Sequence, residues 1–314
     1  MKARCGDFGR LTALLLGAGA LDVAASPAFA EHAQQSRFHT PDQAVEAFVT
    51  ADRNDDPAAL TRILGAGGGK LIHSGDPVAD ARSRKHFVSA YDESHHVEMV
   101  GAGKAVLIIG KEDWPMPIPL VQSPAGWRFD TPAGEQEILN RRIGRNELHV
   151  IETCRVYVQA QREYAALTKP AAGKPEYAQH IMSHEGQHDG LYWPAAAGET
   201  ESPLGPLVAQ ARSHGYSSDP SAGTPTPYQG YYFHILTRRG SHAPGGAKNY
   251  LIDGHMIDGF GLLAYPARYG DSGVMTFMVD QDGIVYEKNL GADTGTLAPR
   301  LGEFDPDGSW RPAP

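Results

Sequence analysis

Two histidines and a glutamate carry the spacing of a zinc-protease motif. His184, Glu185 and His188 form the pattern H-E-x-x-H inside the stretch SHEGQHDGLYWP. On a helix, residues four apart lie on one face, so both imidazoles could bind one zinc ion while the glutamate acts as general base on a zinc-bound water. The chain offers three candidates for the third protein ligand: His180, Asp189 and His214.

The local sequence argues against a helix that continues through this motif. The segment from Glu176 to Glu185 has helical periodicity, but Gly186 is typical of the left-handed residue that follows a helix end. Asp189 and Gly190 then form a turn signal. We therefore expect His188 to lie beyond the helix, and we predict no metal, no cofactor and no catalytic residue. A zinc-dependent hydrolase that uses the HEGQH stretch is the alternative.

Other residues of reactive type have simpler structural explanations. Ser272 lies in a GDSG stretch like that of serine proteases, but the expected barrels and disulfides are missing, so a turn before a strand is predicted. The AGGGK stretch, residues 66–70, lacks the spacing of a phosphate loop and indicates a flexible connection. Residues 280–283, DQDG, indicate a hairpin turn rather than a calcium loop. Cys154 lies on the apolar stripe of a predicted helix and is expected in the core.

The block DGLYWP and the strand GYYFHI contain the residues best suited to binding. Loop aromatics either cover a core or contact a ligand, and we expect the first role more than the second. If the chain binds a ligand or partner, we expect the contact along these two segments. The candidate binding residues are Asp189, Tyr192, Trp193, Tyr232 and His234.

The first thirty residues have the three parts of a secretory signal peptide. Lys2, Arg4 and Arg10 form a basic region, Leu11 to Leu21 form a short apolar region, and Ala28-Phe29-Ala30 is a cleavage site. We expect a mature chain that begins near Glu31, is periplasmic or secreted, and has no membrane span after cleavage.

Composition excludes some classes of partner. The chain has 314 residues and a formal net charge of −9, with no basic cluster. Such a protein is a poor candidate for binding nucleic acid or anionic lipid. Its length suits two domains, which we place at residues 31–134 and 135–314 after the signal peptide.

The order of elements predicts an α+β fold. In the N-terminal domain, Thr40-Pro41, Asp56-Pro57 and Asp76-Pro77 each begin a helix. Four strands follow: His96–Val100, Lys104–Ile109, Pro117–Gln122 and Trp127–Asp130. This order resembles the cystatin-like cone of the nuclear-transport-factor-2-like superfamily, in which helices cover a curved sheet.

The C-terminal domain is predicted to begin with a long helix over about Glu135 to Leu167. Ser202-Pro203 begins a further helix with Leu204, Leu207, Val208 and Ala211 inward. An antiparallel meander ends the chain, with strands at Tyr228–Arg238, Asn249–Ile252, Phe260–Tyr265, Val274–Val279 and Ile284–Glu287. A long helix packed on such a sheet resembles the layout of a pilin, although the prepilin cleavage pattern is absent.

Several long blocks resemble one bacterial exported family, catalogued as domain of unknown function 2950. They include LIHSGDPVAD, EILNRRIGRNEL, DGLYWP, GYYFHILTRRG and APGGAKNYLIDGHMIDGFGLLAYPARYGDSGVMTF. The likeness extends from about Phe38 to Leu290 and implies an exported protein without an assigned activity. The family pattern centres on glycine, tryptophan, tyrosine and proline, so His184 and His188 are peculiar to this chain.

We therefore predict a non-catalytic cell-envelope protein with a binding or assembly role and a protein partner. One alternative is the zinc hydrolase. The other is a small-ligand carrier with an apolar pocket inside the cystatin-like domain.

Overall fold

Helices precede an antiparallel sheet in the N-terminal part of the chain, and the α+β class is confirmed. The computed structural model describes residues 35–314 except 66, 169–172, 197 and 217–225, so the predicted signal peptide lies outside the described residues. The first four helices are α1 Pro41–Arg53, α2 Pro57–Leu64, α3 Gly68–Ile72 and α4 Pro77–Glu93.

The three predicted helix starts are confirmed. The side chains of Thr40, Asp56 and Asp76 each accept a hydrogen bond from a first-turn N–H, and a proline follows each cap. The prediction of a flexible connection at residues 66–70 was wrong for residues 68–70, which begin α3. Leu64 approaches Gly68 so closely that a side chain there would clash with it.

The sheet that follows is covered by these helices. Its strands are β1 His95–Gly101, β2 Lys104–Ile109, β3 Trp114–Pro115, β4 Leu120–Ser123 and β5 Gly126–Phe129. They are ordered β1-β2-β4-β5, and β3 pairs with β2. Phe48 of α1 packs on Phe129 with ring centroids 5.3 Å apart, and on Phe87 of α4 at 5.4 Å. Helix side chains therefore fill the covered face of this sheet.

A single helix of 37 residues, α5 Thr131–Leu167, leads to the C-terminal part without a break. The predicted apolar stripe is confirmed, because its residues from Val150 to Tyr164 are buried in a core that they share with residues of the C-terminal strands. Cys154 is fully buried within this stripe.

The predicted helix over Glu176 to Glu185 was wrong. This region contains strand β6 His180–Met182, which pairs in parallel with β7 Gly190–Tyr192. Gln161 of α5 is fully buried and bonds both backbone groups of Ala178 at 2.8 Å. A side chain from another element thus satisfies the backbone groups that a helix would have paired internally.

The remaining elements build the second sheet and its surroundings. Helix α6 spans Gly205–Ser213, and strand β8 spans Tyr231–Leu236. Two pairs of short strands follow. In the first pair β9 Arg238–Arg239 is bonded to β10 Lys248–Asn249, and in the second β11 Leu251–Ile252 is bonded to β12 His255–Met256. The main strands are β13 Gly261–Pro266, β14 Met275–Asp280, β15 Tyr286–Asn289 and β16 Arg311–Pro312. Helix α7 Thr294–Leu297 and a 3-10 turn at Ala298–Arg300 precede β16.

The antiparallel meander is confirmed, with the order β16-β15-β14-β13-β8 and β8 at one edge. The predicted strand Asn249–Ile252 was wrong as a member of this sheet. It is interrupted at Tyr250, whose side chain is fully buried in the core between α5 and the sheet. Asp253 and Gly254, both with positive φ, close the small β11–β12 hairpin.

Two large hydrophobic cores lie along the chain, one under α1 and α2 and the other between α5 and the second sheet. Within the described residues no helix combines the length and apolar character that a membrane crossing needs. The division into residues 31–134 and 135–314 stays a prediction.

Candidate functional site

A cavity of about 600 Å³ lies among α5, α6, β6 and the edge strand β8. Small-molecule sites commonly have volumes of roughly 300–1,000 Å³ and apolar walls. Most of its lining side chains are aromatic or aliphatic. The lining residues are Thr153, Tyr157, Ile181, Met182, Leu204, Leu207, Val208, Ala211, Arg212, Tyr216, Thr226, Tyr228, Tyr231, Tyr232, Phe233, His234, Leu262, Tyr265 and Pro299.

Helix α6 forms one wall of this cavity. Its apolar face was predicted to point inward, yet Leu207, Val208 and Ala211 are only half-buried and line the cavity. The predicted cap at Ser202 was wrong, because the helix begins at Gly205 without a side-chain cap bond. The partial exposure of this face is what leaves space for a ligand.

The wall includes one arginine and one histidine. Arg212 lies over the ring of Tyr192, 5.3 Å from its centroid, and His234 lies on β8. Among the described lining residues there is no aspartate or glutamate, although the chain as a whole carries 37 acidic against 28 basic residues. Arg212 thus places a positively charged side chain in a wall that is otherwise mostly aromatic and aliphatic.

Tyrosine hydroxyls supply most of the remaining polar groups. Burial raises the pKa of Tyr216, Tyr228 and Tyr265, so these hydroxyls stay protonated at neutral pH. The hydroxyl of Tyr216 already donates to the Asp76 carboxylate at 2.6 Å. The cavity thus presents uncharged hydroxyls on a largely apolar surface.

The structure brings together only part of the predicted binding set. Tyr232 and His234 line the cavity. Tyr192 and Trp193 are buried in the core, and Trp193 Nε1 donates to the Thr200 carbonyl at 3.1 Å. Tyr192 was predicted in a loop but lies on strand β7. These two aromatics therefore cover the core, and Arg212 of the cavity wall lies over the Tyr192 ring.

The H-E-x-x-H residues do not lie on one helix face. Gly186 has a φ of 71°, in the left-handed region as predicted, but it belongs to the connection between β6 and β7. The ring of His188 stacks on Trp193, with centroids 4.3 Å apart. The ring of His184 instead bonds Asp189. The arrangement that a zinc protease requires is absent from this described segment.

A different set of ligand atoms converges at the same connection. His180, His184 and Asp189 each offer one nitrogen or oxygen atom, all within 4.8 Å of one another. Asp189 Oδ2 lies 2.6 Å from His184 Nδ1, and Oδ1 accepts the His184 backbone N–H at 2.9 Å. Burial raises the pKa of Asp189, but the hydrogen bonds from His184 outweigh it and leave the pKa below its usual value. His214, at the end of α6, is not in this group.

Ser272 has a structural role. It is fully buried, its Oγ accepts the Arg268 N–H at 2.9 Å and donates to the Arg268 carbonyl at 3.1 Å. It therefore holds the turn before β14, as predicted. Burial also raises the pKa of the Cys154 thiol to about 12, so this group is not a nucleophile at neutral pH.

Sequence reasoning missed most of the cavity wall. Tyr216, Tyr228 and Tyr265 were not among the candidates, and neither was Arg212. Tyr265 pairs with Tyr232 across β13 and β8, with ring centroids 5.6 Å apart. The tyrosines near GYYFHI were the available signal, because tyrosine combines apolar area with a polar tip.

No curated protein and no solved structure matches the chain. The family model described as "Protein of unknown function (DUF2950)" matches residues 35–313, almost the whole described chain. The chain belongs to this DUF2950 family.

Proposed function

We propose that the protein is an exported, non-catalytic binding protein of the cell envelope, and that its ligand is a small apolar molecule with a neutral or anionic polar end. The observation that carries this proposal is the cavity of about 600 Å³ between α6 and the edge strand β8. Its aromatic and aliphatic wall gives a ligand the burial of apolar surface that drives binding.

The polar end of the ligand is inferred from charge. Arg212 lies in the wall, over the ring of Tyr192. The positive charge of Arg212 attracts an anionic head group more strongly than a neutral or cationic one. A molecule with an apolar chain or ring and a carboxylate fits both features.

The positions and contacts of the residues with reactive side chains support the non-catalytic part of the proposal. Ser272 is buried in a turn, Cys154 is buried in the core, and the H-E-x-x-H residues point to different partners. Export is supported by the first thirty residues of the sequence, with their basic start, apolar segment and A-x-A site.

We also propose that the N-terminal part is cystatin-like and that the C-terminal part has a pilin-like layout. Helices α1 to α4 precede and cover an antiparallel sheet, which supports a cystatin-like N-terminal part. Helix α5 packs on a meander, which supports a pilin-like layout in the C-terminal part. The carrier alternative placed its pocket in the first part, but side chains of α1 fill that sheet face. We therefore place the ligand between α6 and β8.

Titration with 11-(dansylamino)undecanoic acid, a fluorescent fatty-acid analogue, tests the proposal. We expect saturable binding at one site per chain. The methyl ester of the same probe should bind more weakly, because it lacks the charge that faces Arg212. Absence of saturable binding by both probes contradicts the proposal.

Two alanines of α6 provide a matched pair of variants. Ala211 lines the cavity, whereas Ala209 is exposed and outside it. Ala211→Glu places a carboxylate in an apolar wall and should weaken probe binding by about tenfold or more. Ala209→Glu adds the same charge to the same helix and should leave binding unchanged. Equal effects of the two variants contradict a site in this cavity.

A protein partner in the envelope is a second candidate function, favoured by the exposed edge of the first sheet. Met99 and Val100 of strand β1 are 54% and 48% exposed, and β1 has no neighbour on its outer side among the described strands. Exposed strand edges of this kind accept a strand from another protein. A photo-cross-linking residue at Met99 should capture one partner in producing cells. The same residue at exposed Leu148, on α5, should capture none.

A further inference from the structure

We infer that His180, His184 and Asp189 form a binding site for a divalent transition-metal ion of the zinc class. Two imidazoles and one carboxylate are a common ligand set for such ions. In the part of the chain that the structure describes, this is the one group of three or more His, Cys, Asp or Glu side chains whose ligand atoms converge within 4.8 Å.

The backbone holds the three ligands near one another. His180 lies on β6 and Asp189 directly precedes β7, and the two strands pair in parallel with His180 opposite Gly190. The connection between them is closed by hydrogen bonds from Ser183 N to the Tyr192 carbonyl and from Gly190 N to Ser183 Oγ, at 2.8 and 3.0 Å. The site therefore joins the end of one strand to the start of the next.

The geometry needs only small side-chain movements to close on a metal. Bonds of about 2.0–2.1 Å to a tetrahedral zinc place the ligand atoms roughly 3.4 Å apart. The three atoms lie within 4.8 Å, and the rings of His180 and His184 meet edge to face with centroids 4.9 Å apart. The His184 side chain is 63% exposed. Rotation of exposed side chains can supply the remaining movement without disturbing the core.

A histidine–carboxylate pair alone does not make such a site. His242 and Asp305 repeat the same pattern, with the ring nitrogen 2.8 Å from one carboxylate oxygen and the backbone N–H 2.7 Å from the other. No third ligand joins that pair among the described residues. The group at the β6–β7 connection differs because His180 adds a third ligand. The pair of His242 and Asp305, which has only two ligands, is therefore a control for metal binding.

The site differs from the one that the H-E-x-x-H pattern suggests. That pattern requires Glu185 and His188, which are outside the converging group. The new set leaves coordination positions for water or a ligand, and β6 also supplies Ile181 and Met182 to the cavity wall. The inference does not depend on the proposed ligand in that cavity, because it rests on His180, His184 and Asp189 alone.

Zinc binding by the tag-free protein tests the inference. Equilibrium dialysis against Zn²⁺ with elemental analysis should give one tightly held ion per chain. His180→Ala and His184→Ala should each weaken its affinity by about tenfold or more, because each removes a direct ligand and loss of an outer-shell partner alone costs about tenfold. His188→Ala, Glu185→Gln and His242→Ala should leave the affinity unchanged.

Addition of Co²⁺ provides a second readout, because its visible absorption depends on the number and arrangement of its ligands. We expect the absorption bands of protein-bound Co²⁺ in the unmodified protein and in His188→Ala, and we expect these bands to be lost in His180→Ala. Circular dichroism of the metal-free variants confirms that exposed substitutions leave the fold intact. Absence of a stoichiometric ion overturns the inference. So does a loss of metal affinity in His188→Ala or His242→Ala that equals the loss in His180→Ala.

Discussion

The hydroxyl of Tyr216 donates a 2.6 Å hydrogen bond to Asp76, a carboxylate 140 residues earlier that is completely buried. The same carboxylate caps α4 through Ala79 N and accepts the Gly230 N–H at 2.8 Å, just before β8. The Tyr216 oxygen also accepts the Gln229 N–H at 3.1 Å. One buried carboxylate therefore ties the N-terminal helices to the wall of the cavity.

Removal of this hydroxyl should destabilise the protein. Tyr216→Phe keeps the ring but leaves Asp76 and the Gln229 N–H each without one partner, in a buried place where the loss costs about 1–3 kcal/mol. Urea denaturation measures the change in the free energy of unfolding. Tyr232→Phe is the control, since its hydroxyl makes no hydrogen bond with a described residue, and its effect should be much smaller. Equal losses in the two variants contradict the role of Asp76.

Two glycines of α5 should respond to alanine in opposite directions. A Cβ at Gly134 lies 2.4 Å from the Pro117 carbonyl oxygen, so the helix must move away from the chain before β4. Gly134→Ala should lower stability by about 1–3 kcal/mol. Gly144 has open space around the same position, and Gly144→Ala should raise stability by up to about 1 kcal/mol through helix propensity. Thermal unfolding of both variants checks the two signs.

The Cys154 thiol should be unreactive until the protein unfolds. It is fully buried on α5, and burial raises its pKa to about 12. Labelling by iodoacetamide needs both access and thiolate, and the native protein supplies neither. We expect no labelling of Cys154 in native buffer and complete labelling of it in denaturant, measured by mass spectrometry of the peptide that contains Cys154. Rapid labelling of the native protein contradicts the buried position of this helix face.

Local signals in the sequence predicted the elements that local interactions stabilise. The caps at Thr40, Asp56 and Asp76 and the stripe of α5 were correct, because each depends on residues within one or two helical turns. The segment around Ala178 was mispredicted because its partner, Gln161, lies on another element. A periodic pattern does not reveal such a side chain.

The candidate site was predictable only in part for the same reason. Tyr232 and His234 were found because they lie on a predicted strand that is rich in aromatic residues. The residues of the opposite cavity wall depend on where α6 lies. The apolar face of α6 has the same periodic pattern in the sequence as a face that is fully buried, so the pattern does not predict a cavity. The third ligand beside His184 was likewise hidden, because the parallel pairing of β6 with β7, not a helix, brings His180 and Asp189 together.

Asp52 should make stability fall as the pH rises from about 4 to about 6. Burial raises the pKa of Asp52 to about 6, and the nearby charge of Asp55 adds to this rise. The positive charge of Arg84, whose Nε lies 4.0 Å from Asp52 Oδ1, opposes it but is the smaller effect. The unfolded chain loses this proton near pH 4, whereas the folded protein keeps it until about pH 6. The folded state binds more protons in that window, so each step upward in pH lowers the free energy of unfolding, by about 1–3 kcal/mol in total.

The variant Asp52→Asn isolates this contribution from that of other carboxylates. The difference in unfolding free energy between the unmodified protein and Asp52→Asn should favour the unmodified protein more at pH 4.5 than at pH 7, as measured by urea denaturation. Asp55→Asn removes the exposed partner of the same arginine and should show a much smaller change between the two pH values. If the difference for Asp52→Asn is constant across this range, the carboxylate of Asp52 is ionised throughout and its burial does not control its proton.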